Sequence, residues 1–357
     1  MRKTKKILAG AMAAFMMTAA FAGCGSTDTT GTTGGKTTGT TGGAATADSA
    51  VAKIEGKSFN IGVCQLVQHV ALDAATEGFQ DKLTALLGED NVTFTIQNAQ
   101  GDSANCATIC NQFVADKVDL IMANATPALQ AAYTATDSIP ILGTSVTHYG
   151  TALDIKDWKG YSENNVSGTS DLAPLDEQAK IVSELFPDAK KVGLLYCSAE
   201  PNSKFQIDTI TPYLKDANYE VKEYTFSDSN DIAAVVTSAC DECDVLYIPT
   251  DNTAASNTGI IDNIAAPKNI PIICGEEGIC EGCGVATLSI SYYDLGVKTA
   301  EMAYDVLVNG ADISKMEIGY APVTKKYDKA RAEALGITIP TDYVAIGEDA
   351  ATADEAN

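Results

Sequence analysis

The chain is poor in the side chains that carry most metal and nucleophilic chemistry: its 357 residues include two histidines, His69 and His148, and one tryptophan, Trp158. Histidines so far apart exclude the paired-histidine zinc motifs, and there is no Gly-x-Ser-x-Gly elbow to supply a nucleophile. No glycine-rich phosphate loop of the Walker or dinucleotide type follows the first predicted strand. We therefore expect no catalytic residues, no metal and no cofactor. Cations are scarce as well, with 24 Lys and Arg against 47 Asp and Glu and a formal charge of −23. Such acidity excludes nucleic acid as a partner and keeps a crowded surface protein soluble.

Long apolar runs are also few. The clearest, residues 7–22, follows Arg2, Lys3, Lys5 and Lys6 and stops at Phe21-Ala22-Gly23-Cys24. It is too short and Ala-rich for a membrane span and reads as a signal peptide, 1–23. Its end resembles a bacterial lipobox with Phe21 in place of the usual Leu, which implies lipidation of Cys24 and a membrane tether; a cleaved, secreted chain with an incidental Cys24 is the alternative. Residues 25–50 hold Gly, Thr, Ser and Ala with almost no large apolar side chain, so 24–57 is expected to be a lipidated cysteine followed by a flexible stalk. Residues 346–357 form an acidic tail.

From residue 58 onward, short β-branched runs alternate with longer helical stretches, the signature of parallel α/β units. One set runs from a strand at Phe59–Val67 to a strand at Pro140–Val146. A polar and aromatic segment, His148 to Asn165, interrupts the pattern, and a second set runs from a helix at Pro174–Leu185 to a strand at Pro271–Gly275. The fold class expected is α/β, two doubly wound parallel-sheet lobes joined by a multi-strand hinge. The N-terminal lobe is expected to take 58–147 plus 276–310, with strand Ala286–Ile290 and helix Tyr292–Asn309 returning to it. The C-terminal lobe is expected to take 148–275 plus 311–345.

Ligands of such sheets bind beyond the carboxyl ends of the strands, where loop amides and helix N-termini converge. In the first lobe these loops hold Gln65 to His69, Ala125 to Ala128, and Thr144-Ser145, which are neutral donors and acceptors. In the second they hold Ser198 to Ser203, Thr250 to Thr253, and Glu276-Glu277. Hydroxyls and helix-start amides facing carboxylates match a zwitterion, most simply an α-amino acid. Thr126 is the carboxylate candidate and Asp251 the ammonium candidate, although Thr and Asp serve equally well as plain helix N-caps.

Several stretches in order along residues 58–310 carry a resemblance. They include Ile61-Gly62-Val63-Cys64-Gln65-Leu66-Val67-Gln68-His69, Gln97-Asn98-Ala99-Gln100-Gly101-Asp102, Ala125-Thr126-Pro127-Ala128, Asn165-Val166-Ser167-Gly168-Thr169-Ser170-Asp171, Pro249-Thr250-Asp251-Asn252-Thr253 and Tyr292-Tyr293-Asp294-Leu295-Gly296. The chain resembles the ABC-transporter substrate-binding lipoproteins of the tryptophan- and tyrosine-binding type. The resemblance implies a type I periplasmic-binding fold, an aromatic or related amino acid in the cleft, delivery to an ABC permease with its ATPase, and a lipid-anchored monomer on the extracytoplasmic face. Carried onto this chain, Gln65, Thr126, Ser145, Ser170 and Asp171 face Asn202, Ser203, Asp251 and Asn252 around the ligand. One departure stands out: where the family continues after Val146-Thr147 with Asp-Pro and a short turn, this chain reads His148-Tyr149-Gly150 and a longer segment carrying Trp158 and Tyr161. That segment either reaches the cleft rim or is a surface loop pinned by a buried Trp.

Two other function classes compete: a sensor of the same fold docking on a membrane receptor, and an exported thiol-exchange enzyme using Cys240 with Cys243 and Cys280 with Cys283. Against the enzyme, the carboxylates beside Cys240 and Cys243 should raise their thiol pKa values. A sugar or nucleoside receptor of the same fold is a third reading. The nine cysteines other than Cys24 are read as local disulfides or free thiols in preference to zinc ligands.

Overall fold

The computed structural model describes residue 54 and residues 56–348. The signal peptide, the Cys24 lipidation site, nearly all of the stalk and most of the acidic tail lie outside the described residues. In chain order the strands are β1 Phe59–Gln65, β2 Val92–Asn98, β3 Leu120–Asn124, β4 Ile141–Thr144, β5 Val166–Gly168, β6 Lys191–Cys197, β7 Glu220–Phe226, β8 Val245–Ile248, β9 Ile272–Cys274, β10 Ala286–Ile290, β11 Val323–Tyr327 and β12 Val344–Ala345. The helices are α1 Val70–Leu87, α2 Ser103–Asp116, α3 Thr126–Ala135, α4 Tyr149–Ala152, α5 Leu175–Leu185, α6 Pro201–Asp216, α7 Ile232–Glu242, α8 Asn252–Ala255, α9 Thr258–Ala265, α10 Glu277–Cys283, α11 Tyr292–Tyr304 and α12 Lys329–Leu335.

Two sheets form. The first is ordered β2-β1-β3-β4-β5 and the second β12-β11-β10-β9-β8-β6-β7. Central strands such as β3 and β8 are buried at every residue, as expected where helices cover both faces of a parallel sheet. The only antiparallel pair among the described strands is β10 with β11.

Two expected lobe assignments are corrected here. Strand Ala286–Ile290, β10, was expected to extend the first sheet, but it pairs parallel with β9 and antiparallel with β11 in the second. The reason is local: α10 is a short crossover from β9, and it lays the next strand beside the one just left. The edge left open beside β4 is taken instead by β5, through Ile141 opposite Val166. Residues 148–168, expected in the C-terminal lobe, therefore belong with the first sheet.

The chain crosses between lobes after β5, after β10 and before β11. The first and last crossings are tied together, since Gly319 N–H donates to Gly168 O and Ser170 N–H to Gly319 O, both at 2.9 Å. After the middle crossing, α11 packs on α1 of the first lobe. That contact needs glycine on both helices: a Cβ at Gly296 would stand 2.0 Å from Ala75 O, and one at Gly78 2.2 Å from Tyr293 O. All nine described cysteines are free and buried. Burial is the main cause that pushes the Cys240 thiol up to about 11, and the neighbouring Asp241 carboxylate is a lesser one.

Candidate functional site

The loops at the carboxyl ends of the two sheets meet across a cleft. On the first-lobe side, β4 runs into Ser145, which sits at φ 54°, in the left-handed region that non-glycine residues seldom occupy. Nearby are Thr147, His69 at the start of α1, Leu72 and, from the hinge, Asp171 and Tyr292. The second lobe contributes Asn202 from the start of α6, Thr250, Asp251, Asn252 and Ala255 from the β8–α8 turn, and Glu276 from the β9–α10 turn. Together they enclose a cavity of about 10 Å³, room for roughly one water. A larger space of about 460 Å³ lies alongside, between Leu66, Val67 and Pro127 on one lobe and Cys197, Ala199 and Glu200 on the other. Asn252 lines both.

Of the nine residues expected around a ligand, Ser145, Asp171, Asn202, Asp251 and Asn252 line the small cavity. The other four do not, for reasons visible in their bonds. Gln65 is sewn to α1: its Nε2 donates to Asp73 Oδ1 at 2.6 Å and to Val67 O at 2.9 Å, and its Oε1 accepts from Thr76 Oγ1 at 2.7 Å. Ser170 Oγ donates to Thr147 O at 2.9 Å, bracing the loop beneath the cavity. Ser203 Oγ donates to Asp251 Oδ2 at 2.7 Å. Thr126 is buried at the first turn of α3.

Carboxylates dominate the second-lobe wall, yet each is occupied by its own chain. Asp251 caps α8 through Ala254 N–H to Oδ1 at 2.8 Å, and its Oδ2 accepts from Cys197 N–H at 2.7 Å as well as from Ser203. Glu200 accepts the side-chain amides of Asn202 and Asn252, the backbone N–H of Asn252 and of Thr253, and the Thr253 hydroxyl. Glu276 caps α10 through the N–H groups of Gly278 and Ile279, at 2.6 and 2.5 Å. Burial, reinforced by Glu200, pushes Asp251 up to about 7, and burial pushes Glu276 up to about 7.

Asp171 differs. Its Oδ2 accepts from the Tyr292 hydroxyl at 2.9 Å, while Oδ1 is buried without a partner, and burial raises its pKa to about 6. Five buried side-chain polar atoms among the described residues lack a partner, and three of them, Ser145 Oγ, Asp171 Oδ1 and Asn202 Oδ1, are on residues lining this one cavity. Unpaired polar atoms are costly to bury, so such a concentration makes this cavity the candidate binding site. No Lys or Arg lines the cavity. Sequence reasoning pointed to the loops of Glu200 and Glu276 without singling those residues out. The signals were there, since each acid stands at a helix start, Glu200 directly before Pro201. Tyr292 was legible only as part of the stretch Tyr292 to Gly296 that carries the family resemblance, because the hinge brings it 121 positions back to Asp171.

Two facing α/β lobes with three crossings and a polar cavity between them define a receptor that encloses a small solute. The chain belongs to the family of ABC transporter substrate binding proteins, whose family model matches residues 60–347. A tyrosine-binding protein of Clostridioides difficile strain R20291 is 38% identical over 328 residues, covering 91% of this chain and 88% of that one. An ABC domain from Streptococcus pneumoniae, solved in complex with L-Trp, is 33% identical with a TM-score of 0.76 over 80% of this chain and 96% of that one. A Clostridium difficile substrate binding protein with adhesive properties, solved ligand-free and open, is 36% identical but reaches a TM-score of only 0.63, over 80% of this chain and 99% of that one. The chain therefore superposes better on the L-Trp complex than on the ligand-free, open structure, despite the slightly higher identity to the latter.

Proposed function

We propose that this protein captures an α-amino acid with an aromatic side chain between its lobes and delivers it to an ABC permease with its ATPase. The observation that carries this reading is the trio of unpaired atoms at a cavity lined by carboxylates and no cation. An ammonium group supplies donors for Asp171 Oδ1 and Asn202 Oδ1, and its positive charge offsets the buried carboxylate. The Ser145 hydroxyl donates to the ligand's carboxylate. The adjoining space of about 460 Å³ gives the ligand's side chain room once the lobes part enough to admit it. The choice of an aromatic side chain leans on the two relatives named for tyrosine and solved with L-Trp.

The protein works outside the cytoplasm, and no helix among the described residues is long and apolar enough to cross a membrane. Attachment through a lipid on Cys24 and action as a monomer complete the proposal. It is tested by thermal unfolding of residues 51–357 with each of the twenty amino acids, with sugars and with nucleosides. A true ligand at about 100 times its Kd adds about 2.7 kcal/mol of stability. Stabilisation by tyrosine, tryptophan or phenylalanine is the expected result; stabilisation by a sugar or nucleoside alone overturns the zwitterion reading. Mass spectrometry of the membrane-extracted protein reads the state of Cys24.

A further inference from the structure

The segment between β4 and β5 carries the second histidine and the only tryptophan of the chain. It is rooted in the first lobe, with Val146, Tyr149, Ala152 and Leu153 buried in that lobe's core and Trp158 packed against it. The Tyr149 hydroxyl donates to Thr169 O at 3.0 Å, and its ring lies 6.2 Å from Trp158 at an interplanar angle of 13°. Two glycines make room for this tier: a Cβ at Gly168 would stand 2.4 Å from the Tyr149 hydroxyl, and one at Gly150 2.9 Å from Trp158 Cβ.

His148 projects from the tier, edge-on to Trp158 at 6.4 Å. Its Nδ1 accepts from Thr151 N–H at 3.1 Å, capping α4, and stands 2.8 Å from the Thr151 hydroxyl. Its face lies on Phe205, 4.5 Å between centroids and 4° between planes. Phe205 belongs to α6, which Ile207, Ile210 and Leu214 anchor in the core of the second lobe. The stack therefore joins the two lobes, and neither ring lines either cleft cavity.

We propose that His148 and Phe205 form a clasp outside the ligand cavity, which holds the lobes closed and loosens when the imidazole takes a proton. A proton on Nδ1 removes the acceptor for Thr151 N–H and places a charge in the inter-lobe contact. Burial, the sole cause of the shift, already holds the His148 pKa below the ordinary histidine range. The charged groups on the elements around it do not offset that: Lys204 pairs with Asp208 along α6, and Lys159 with Glu163 in the loop. Asp154, Lys156 and Asp157 share that loop, and none contributes to the shift. With the ring freed by opening, the pKa returns to roughly 6.5. The closed form is thus fully supported above that pH and weakened as pH falls below it.

The clasp rests on the reading of the cleft as one that closes on a ligand. Three variants separate its parts: His148→Asn keeps a cap and loses the ring, His148→Phe keeps a ring and loses the proton site, and Phe205→Ala removes the partner. With L-tyrosine as probe at pH 7.5, stopped-flow is expected to show dissociation about three- to tenfold faster in Phe205→Ala and in His148→Asn, and no faster still in the double variant. Between pH 7.5 and 5.5, His148→Phe is expected to lose less affinity than the natural chain, by up to about tenfold; the cavity carboxylates titrate in both proteins and cancel in the comparison. Unchanged dissociation in Phe205→Ala and His148→Asn, or superimposable pH profiles for His148→Phe and the natural chain, overturns the clasp. If the natural chain binds neither tyrosine nor tryptophan, the amino-acid reading falls. The clasp is then read from small-angle scattering of the ligand-free protein, where Phe205→Ala is expected to be more expanded and identical curves overturn it.

Discussion

The two walls of the cleft use polar groups in different ways. On the second lobe, Glu200, Asp251 and Glu276 look like ligand-reading acids, yet all three are filled by backbone N–H groups and neighbouring side chains, and they hold turns in place. On the side of the first lobe and the hinge, Ser145 and the acid Asp171 keep an atom free, whereas among the second-lobe residues of the cavity only the neutral Asn202 does. Acidity in the sequence is therefore a poor guide to which acid keeps an oxygen free. What distinguishes Asp171 is that its own loop leaves one oxygen unanswered.

Mutation gives the sharpest test of that contrast. Asp251→Ala removes the α8 cap and strands the Cys197 amide, so denaturant titration is expected to show a loss of about 2–3 kcal/mol of folding stability. Its effect on ligand affinity should be the smaller one. Asp171→Asn should do the reverse, with calorimetry reporting affinity down about 10- to 100-fold, the loss of one charged hydrogen bond, and ligand-free stability little changed. If Asp251→Ala abolished binding in a fully folded protein while Asp171→Asn bound normally, the two roles would have to be exchanged.

Acidification should also split stability from binding. The folded-state pKa values of Asp171, Asp251 and Glu276, about 6, 7 and 7, lie above their ordinary values. Between roughly pH 4 and pH 7 the folded chain then binds more protons at these groups than the unfolded chain, so their contribution to stability rises as pH falls through that window. An ammonium ligand needs Asp171 ionised, so the ligand-induced rise in Tm should shrink over the same range. Parallel melts with and without L-tyrosine from pH 8 to pH 5 would check this, and a ligand-induced shift independent of pH would contradict the pairing with Asp171. The smallest effect is expected at Gln65, which α1 and the Val67 carbonyl occupy: Gln65→Leu should leave affinity within about twofold while costing roughly 1–2 kcal/mol of stability.

Much of the fold was legible from pattern. Unbroken apolar runs such as Leu120–Ala123 and Val245–Ile248 announce strands covered on both faces, and in parallel sheets the loops after them converge at one end. That rule located Ser145, Asn202, Asp251 and Asn252 beside the cavity. It misplaced β10, because an apolar pentapeptide pairs equally well with any open edge, and only the length of α10 decides which edge it reaches. It also ranked Asp251 above Asp171, because the donors that fill Asp251 come from Cys197 and Ser203, about fifty positions away.

The amino-acid sequence by itself determined the grammar of the chain: the alternation of strand and helix, the two lobes, and the loops from which the cavity is drawn, all of which follow from local periodicity and turn chemistry. Tertiary structure alone decided which sheet received β5 and β10, which carboxylate kept a free oxygen, and that His148 would lie on Phe205. Those outcomes depend on contacts between residues tens to hundreds of positions apart, and such contacts leave no periodic mark in either partner's own stretch of chain.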